Sequence, residues 1–257
     1  MNAPTNLPNQ FSSMTNWFTS STSSSDPLVI GHRGASADAP ENTMAAFALA
    51  LTQGADGIEF DVQLSADGVP VVMHDADVTR MTTGDGRVAN LSLAALQSLE
   101  MAQGQRIPTL DDVLGAFGRQ LLYNIEVKDF GWRERGTETA VADRIRAHHL
   151  KDNVLVSSFN PLALRRLRRC LPPGVPIALI RDAGWRQYGY LLADGAADHP
   201  HHALVDARYM AWARQRSYRV NVWTVDDPAE ARRLAALGVH GLITNQPANI
   251  RDNLNRP

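Results

Sequence analysis

The sequence predicts an α/β fold, a closed parallel (β/α)8 barrel of the TIM type, on two observations. From residue 27 onward short β-rich runs alternate with helical stretches about eight times, and a length of 257 residues suits one such barrel. No G-x-G-x-x-G turn follows the first strand, so the doubly wound open sheet lacks its phosphate-binding fingerprint.

Each element has its own signal. Residues 27–34 (PLVIGHRG) open with a strand, and 43–53 form a helix with Asn42 or Thr43 as N-cap and Gly54 closing it. Residues 57–64 (GIEFDVQL) are the second strand, and 69–74 return across a Ser-Ala-Asp-Gly turn as a hairpin arm. Residues 75–108 are a loop-rich insertion with a short helix near 93–99. The alternation then resumes with helix 110–117, strand 121–128, helix 137–149, strand 154–159, helix 161–170 and strand 176–181. A helical stretch near 185–193, a weak strand 203–206, helix 210–216, strand 219–225, helix 228–237, strand 241–244 and a short last helix complete the barrel domain, residues 27–257.

Residues 1–26 hold Ser, Thr, Asn and Pro with scattered aromatics, and read as a flexible N-terminal extension; they have neither the basic start nor the apolar run of a secretory signal. Net charge is −2, which gives no broad attraction for nucleic acid, and the run Arg165-Arg166-Leu167-Arg168-Arg169 reads as a solvated helix face. Cys170 is the only cysteine, so there is neither a disulfide framework nor a thiolate metal site. No apolar run approaches the roughly 20 residues that span a bilayer, so stable membrane insertion is not expected. The expected setting is a cytoplasmic monomer or homodimer.

The strands carry the chemistry. In the second, Ile58, Phe60, Val62 and Leu64 alternate with Glu59, Asp61 and Gln63, and strand geometry sends the two sets to opposite faces. In a parallel barrel the apolar set meets the helix layer, so Glu59 and Asp61 point into the lumen. By the same rule Asn124, Glu126 and Lys128 face inward while Ile125 and Val127 face the helices. Three carboxylates in one lumen are costly unless something positive meets them. Lys128 and Arg33 supply part of that charge, and one hard divalent cation, Mg²⁺ or Ca²⁺, would supply the rest through oxygen ligands. The hairpin brings in His74. A four-residue loop sets it opposite Glu59, and a two-residue Asp67-Gly68 turn sets it opposite Asp61; in both registers it lies beside the carboxylates. His32-Arg33-Gly34 ends the first strand at the carboxyl-terminal mouth, where such barrels keep their chemistry. Trp223 packs against substrate carbons if it faces the lumen and is otherwise a plain core tryptophan. The histidines His199, His201 and His202 read as a surface loop cluster rather than a second metal site.

In order and spacing, His32-Arg33-Gly34, Pro40-Glu41-Asn42-Thr43, Glu59-x-Asp61, His74-Asp75, Thr82-Thr83-Gly84-x-Gly86, Asn124-x-Glu126-x-Lys128, Ser157-Ser158-Phe159 and Trp223-Thr224-Val225 resemble the glycerophosphodiester phosphodiesterase family over residues 27–250. The resemblance implies metal-dependent hydrolysis of glycerophosphodiesters, such as glycerophosphocholine, to sn-glycerol 3-phosphate and an alcohol. It implies Glu59, Asp61 and Glu126 as metal ligands, His32 and His74 as the acid–base pair, Arg33 and Lys128 as phosphate-binding cations, and Glu41 as part of the mouth. Insertion 75–108 would partly cover the site. Two positions depart from the family pattern: His240 and Asn245 stand where members usually carry Asp. The rival readings are a lysophospholipase D-like activity within the same family, which needs an apolar channel for an acyl chain, and a catalytically silent phosphate-binding barrel.

Overall fold

The structure, a computed structural model, describes residues 16–17, 26–128, 135–182, 190, 193 and 195–254. Among the described residues, nine strands lie in one sheet: β1 (Leu28–His32), β2 (Gly57–Leu64), β3 (Pro70–Val72), β4 (Leu122–Val127), β5 (Val154–Ser158), β6 (Ile177–Arg181), β7 (Ala197–Pro200), β8 (Arg219–Val222) and β9 (Gly241–Thr244). Eight of them are parallel neighbours, and pairing of β1 with both β2 and β9 closes the barrel. β3 is the exception, an antiparallel arm on the end of β2 that extends beyond β1. Among the described residues, no helix is long and apolar enough to cross a membrane.

Helices α1 (Met44–Thr52), α3 (Leu110–Phe117), α4 (Thr137–Ala147), α5 (Pro161–Cys170), α6 (Ala207–Gln215), α7 (Pro228–Leu237) and α8 (Pro247–Leu254) separate the strands, while α2 (Leu93–Ser98) lies in the insertion. Their starts follow from side chains that satisfy orphan backbone N–H groups. Thr109 and Asp112 form a capping box for α3, and Asn160-Pro161 and Asp227-Pro228 start α5 and α7 with an acceptor followed by proline. Outward residues of the strands, among them Ile58, Phe60, Val62, Ile125 and Val127, pack under the helices as expected from the alternation. The insertion has a small core of its own, built on Val71, Met73, Val78, Val88, Leu96, Met101 and Ile107.

Two expectations change. The predicted strand 203–206 is absent; the seventh barrel strand is Ala197–Pro200, and a 3-10 turn spans His202–Leu204. β7 has no β-branched residue. It is held by tertiary partners instead, with Asp198 outward against Arg181 at 2.5 Å and His199 inward against Asn221 at 3.0 Å. Within the segment expected to be flexible, Trp17 is only 1% exposed; its indole N–H donates to the Asn153 carbonyl at 2.9 Å, and its ring faces Arg219. It packs with Leu28, Leu122 and Ala197 at strand starts, so it stops the amino-terminal end of the barrel. The predicted helix near 185–193 falls almost entirely outside the described residues.

Candidate active site

The site begins where β1 ends. Arg33 has φ 55° and Gly34 φ 85°, a left-handed turn that swings the chain onto α1. A Cβ at Gly34 would lie 2.6 Å from the Ala46 carbonyl carbon, so only glycine lets the helix come this close. Arg33 itself is strained there. Its N–H holds the turn by donating to the Glu59 carbonyl at 2.8 Å and to Glu59 Oε2 at 3.2 Å.

Strand register assembles the rest. His32 is the β1 partner of Glu59, Glu59 pairs laterally with Asn124, and Asp61 with Glu126, so neighbouring strands deliver two adjacent polar rows to the same end of the lumen. Glu59, Asp61 and Glu126 are all buried, and each offers an oxygen within 4.8 Å of the other two. Lys128 Nζ lies 3.0 Å from Asp61 Oδ1 and 2.7 Å from Glu126 Oε1, while Arg33 Nε lies 3.3 Å from Asp61 Oδ2. Asn42 Nδ2 donates to Asp61 Oδ2 at 2.9 Å.

This distribution is uneven, and the proton affinities record it. Burial disfavours every charge here, but Lys128 and Arg33 outweigh it at Asp61 and hold that carboxyl well below the usual range. Burial, with Asp61 and Glu126 adding to it, drives Glu59 well above that range, and burial pushes Glu126 up to about 7 despite Lys128. Two cations against three carboxylates leave negative charge in excess. An all-oxygen donor set with that excess suits a hard divalent cation, so the residues fit one.

Two imidazoles flank this centre. His32 Nδ1 lies 2.7 Å from Asn245 Oδ1, and its Nε2 lies 3.9 Å from Glu59 Oε2. Burial, and then Arg33, lower its proton affinity. His74 Nδ1 lies 2.7 Å from Asp75 Oδ1. The hairpin register differs from both alternatives: Val62 faces Val72 and Leu64 faces Pro70, with a five-residue connection bridged by the Ser65 N–H to the Val69 carbonyl. Continued as a strand, His74 would point away from the lumen. It reaches the site because the chain leaves β3 after Val72, and Gln63 Nε2 pins the new path by donating to the carbonyls of Met73, His74 and Asp75.

These groups line a cavity of about 370 Å³. His32, Arg33, Glu59, Glu126, Lys128 and His74 form its polar side, and Phe159, Ile180, Trp223 and Ile243 an apolar wall. Trp223 faces the lumen, with its N–H donated to the His199 carbonyl at 2.8 Å and its ring edge-on to Phe159. Asp61 lies beneath the cavity. Glu41 stands at its rim, 2.9 Å from Arg33 and 2.7 Å from Arg80, which also binds Asp75. Contrary to the expected surface cluster, His199 is fully buried on the lumen floor, where desolvation lowers its pKa to about 3. Sequence reasoning missed Gln63, Asp226 and Asn245 as parts of the site. They act through hydrogen bonds to other site elements, and only Asn245 stands out in the sequence, as a departure from the family pattern.

The chain is similar in sequence and fold to known proteins. The chain is 35% identical to the glycerophosphodiester phosphodiesterase of Caldanaerobacter subterraneus subsp. tengcongensis, covering 87% of this chain and 96% of that one. It superposes on an Oleispira antarctica phosphodiesterase in complex with the product sn-glycerol-3-phosphate at a TM-score of 0.81, with 30% identity, covering 90% of this chain and 97% of that one. A glycerophosphodiester phosphodiesterase from Agrobacterium tumefaciens gives 0.76 at 26% identity, covering 88% and 99%. A closed (β/α)8 barrel with these relatives defines the protein as an enzyme, a phosphoric diester hydrolase. It belongs to the Glycerophosphoryl diester phosphodiesterase family, whose profile matches residues 32–249.

Proposed function

We propose that this chain hydrolyses glycerophosphodiesters to sn-glycerol 3-phosphate and an alcohol, with one divalent cation, Mg²⁺ or Ca²⁺, held by Glu59, Asp61 and Glu126 and with His32 and His74 moving the protons. The observation that carries this reading is the convergence of three buried carboxylates within 4.8 Å of one another, directly beside two cations and two imidazoles. The bound product named for the Oleispira antarctica structure supports the substrate class.

The cation, when bound, polarises the phosphate oxygens as a Lewis acid. Arg33 presents a planar guanidinium fork to those oxygens and Lys128 a point charge, so both offset the charge that grows on them during displacement. Glu41 keeps the Arg33 fork aimed. One imidazole takes the proton of the attacking hydroxyl as the new O–P bond forms, and the other protonates the alcohol oxygen as its bond to phosphorus breaks. With the neighbouring glycerol hydroxyl as nucleophile, the first displacement gives a cyclic phosphate. Water then opens it with the two imidazoles exchanging roles. Trp223 and its apolar neighbours receive the glycerol carbons.

The test is a coupled assay for glycerol 3-phosphate release from glycerophosphocholine and glycerophosphoethanolamine, run beside an assay for choline release from lysophosphatidylcholine. Release from the small diesters, abolished by chelator and restored by Mg²⁺ or Ca²⁺, is expected. Cleavage of the lysolipid alone, or turnover indifferent to chelator, refutes the proposal.

A further inference from the structure

Asp226, in the loop after β8, and Asn245, the first residue past β9, meet behind His32. Asp226 Oδ1 accepts from the Asn245 backbone N–H at 2.7 Å and from the Thr244 hydroxyl at 2.9 Å, and Oδ2 accepts from Asn245 Nδ2 at 2.5 Å. A carboxylate only accepts, so the amide atom turned toward it must be the nitrogen. The amide oxygen therefore faces the other way, 2.7 Å from His32 Nδ1 and 2.7 Å from Ser36 Oγ. Ser36 has one proton to share between that oxygen and the His32 carbonyl, 2.8 Å away. An amide oxygen cannot donate, so the ring nitrogen facing it must. In a neutral imidazole the proton is then on Nδ1, and the Nε2 lone pair is left on the side of Glu59 and the cavity.

We propose that Asp226 and Asn245 are positioning residues acting as one unit: through the Asn245 amide, the Asp226 carboxylate holds His32 as the Nδ1–H tautomer and presents a bare Nε2 to the phosphate, which makes His32 the proton acceptor of the first displacement. The tautomer needs no substrate. The proton-acceptor role rests on the function proposed above.

Replacement of Asp226 separates this from a merely structural role. In Asp226→Asn, one side-chain oxygen still serves the Asn245 and Thr244 donors, but an NH₂ group now faces the Asn245 NH₂. The Asn245 amide must flip, turning its NH₂ toward His32, and the ring must move its proton to Nε2. In Asp226→Asn/Asn245→Asp the polarity returns: the new carboxylate accepts from His32 Nδ1 and from the side-chain amide now at position 226. The experiment is long-range ¹H–¹⁵N spectroscopy of histidine-labelled protein, with kcat and KM on glycerophosphocholine. The wild type should show a pyrrole-type Nδ1 and a pyridine-type Nε2, the single variant the reverse with kcat down at least tenfold and KM within about twofold, and the double variant the wild-type pattern with kcat regained. If Asp226→Asn does not fold, Asn245→Ala should give mixed tautomers. A wild-type ring protonated on Nε2, or a pattern unmoved in these variants, overturns the proposal. The predicted patterns in a protein without turnover on any glycerophosphodiester would refute the function and the proton-acceptor role, while supporting the tautomer lock.

Discussion

Glu126→Gln should make the metal-free protein more stable at neutral pH and the metal-loaded protein less so. Burial pushes the Glu126 carboxyl from an ordinary 4.5 to about 7. A folded-state pKa above the unfolded one means that the folded state holds the proton more tightly, so its contribution is fully present below about pH 4.5 and lost as pH rises through about 7. Over that window the loss is worth roughly 3 kcal/mol. Glu59 moves in the same direction and adds to it. Buried His199 and half-buried His240, with pKa values lowered to about 3 and about 4, contribute stability that is lost as pH falls, the opposite sense, so wild type alone would show a blurred profile. Comparison of the two proteins removes the histidine contribution. The stability difference in favour of Glu126→Gln should grow by roughly 3 kcal/mol between about pH 4.5 and 7.5, or roughly 6–12 °C in Tm for a chain of this size. With saturating Mg²⁺ or Ca²⁺ the order should reverse, because ligation holds the wild-type carboxylates ionised and the variant lacks one ligand. The assay is thermal unfolding of both proteins across pH, in chelator and in cation. A stability difference constant across pH, or equal stabilisation of both proteins by the cation, would refute the reasoning.

Other consequences are as direct. Gly34→Ala forces a Cβ to 2.6 Å from the Ala46 backbone at a left-handed φ, so it should cost about 1–3 kcal/mol in denaturant unfolding and displace Arg33 enough to raise KM. Trp17→Ala empties the stopper at the far end of the barrel; it should lower stability by about 3–5 kcal/mol while kcat/KM stays within about twofold. His74→Ala should lower kcat by about a hundredfold or more in the glycerol 3-phosphate assay, with circular dichroism unchanged.

What can be read from the residues is whatever has a local period. The alternation in Gly57–Leu64 and Leu122–Val127 suffices to place Glu59, Asp61, Glu126 and Lys128 in the lumen, because a parallel barrel leaves the polar face nowhere else to go. β7 escapes because Ala-Asp-His-Pro has no strand signature, and its pairing depends on Arg181 and Asn221, each distant in sequence. The register arithmetic that brings His74 to the site fails even though the residue is there: the arm ends before it, and Gln63 redirects the chain. The dock of Trp17 on Asn153 spans 136 positions and the Asn245–His32 contact 213, with no periodicity to announce either.

The proposed chemistry stands on one ion and three carboxylates. Diffraction from crystals grown with Mn²⁺ or Ca²⁺ and glycerol 3-phosphate, read in anomalous density, tests that most directly. One cation should bind oxygens of Glu59, Asp61 and Glu126 at roughly 2.0–2.6 Å, with the phosphate against Arg33 and Lys128. An ion bound elsewhere, or a phosphate seated in the cavity while those carboxylates hold no ion, would contradict it.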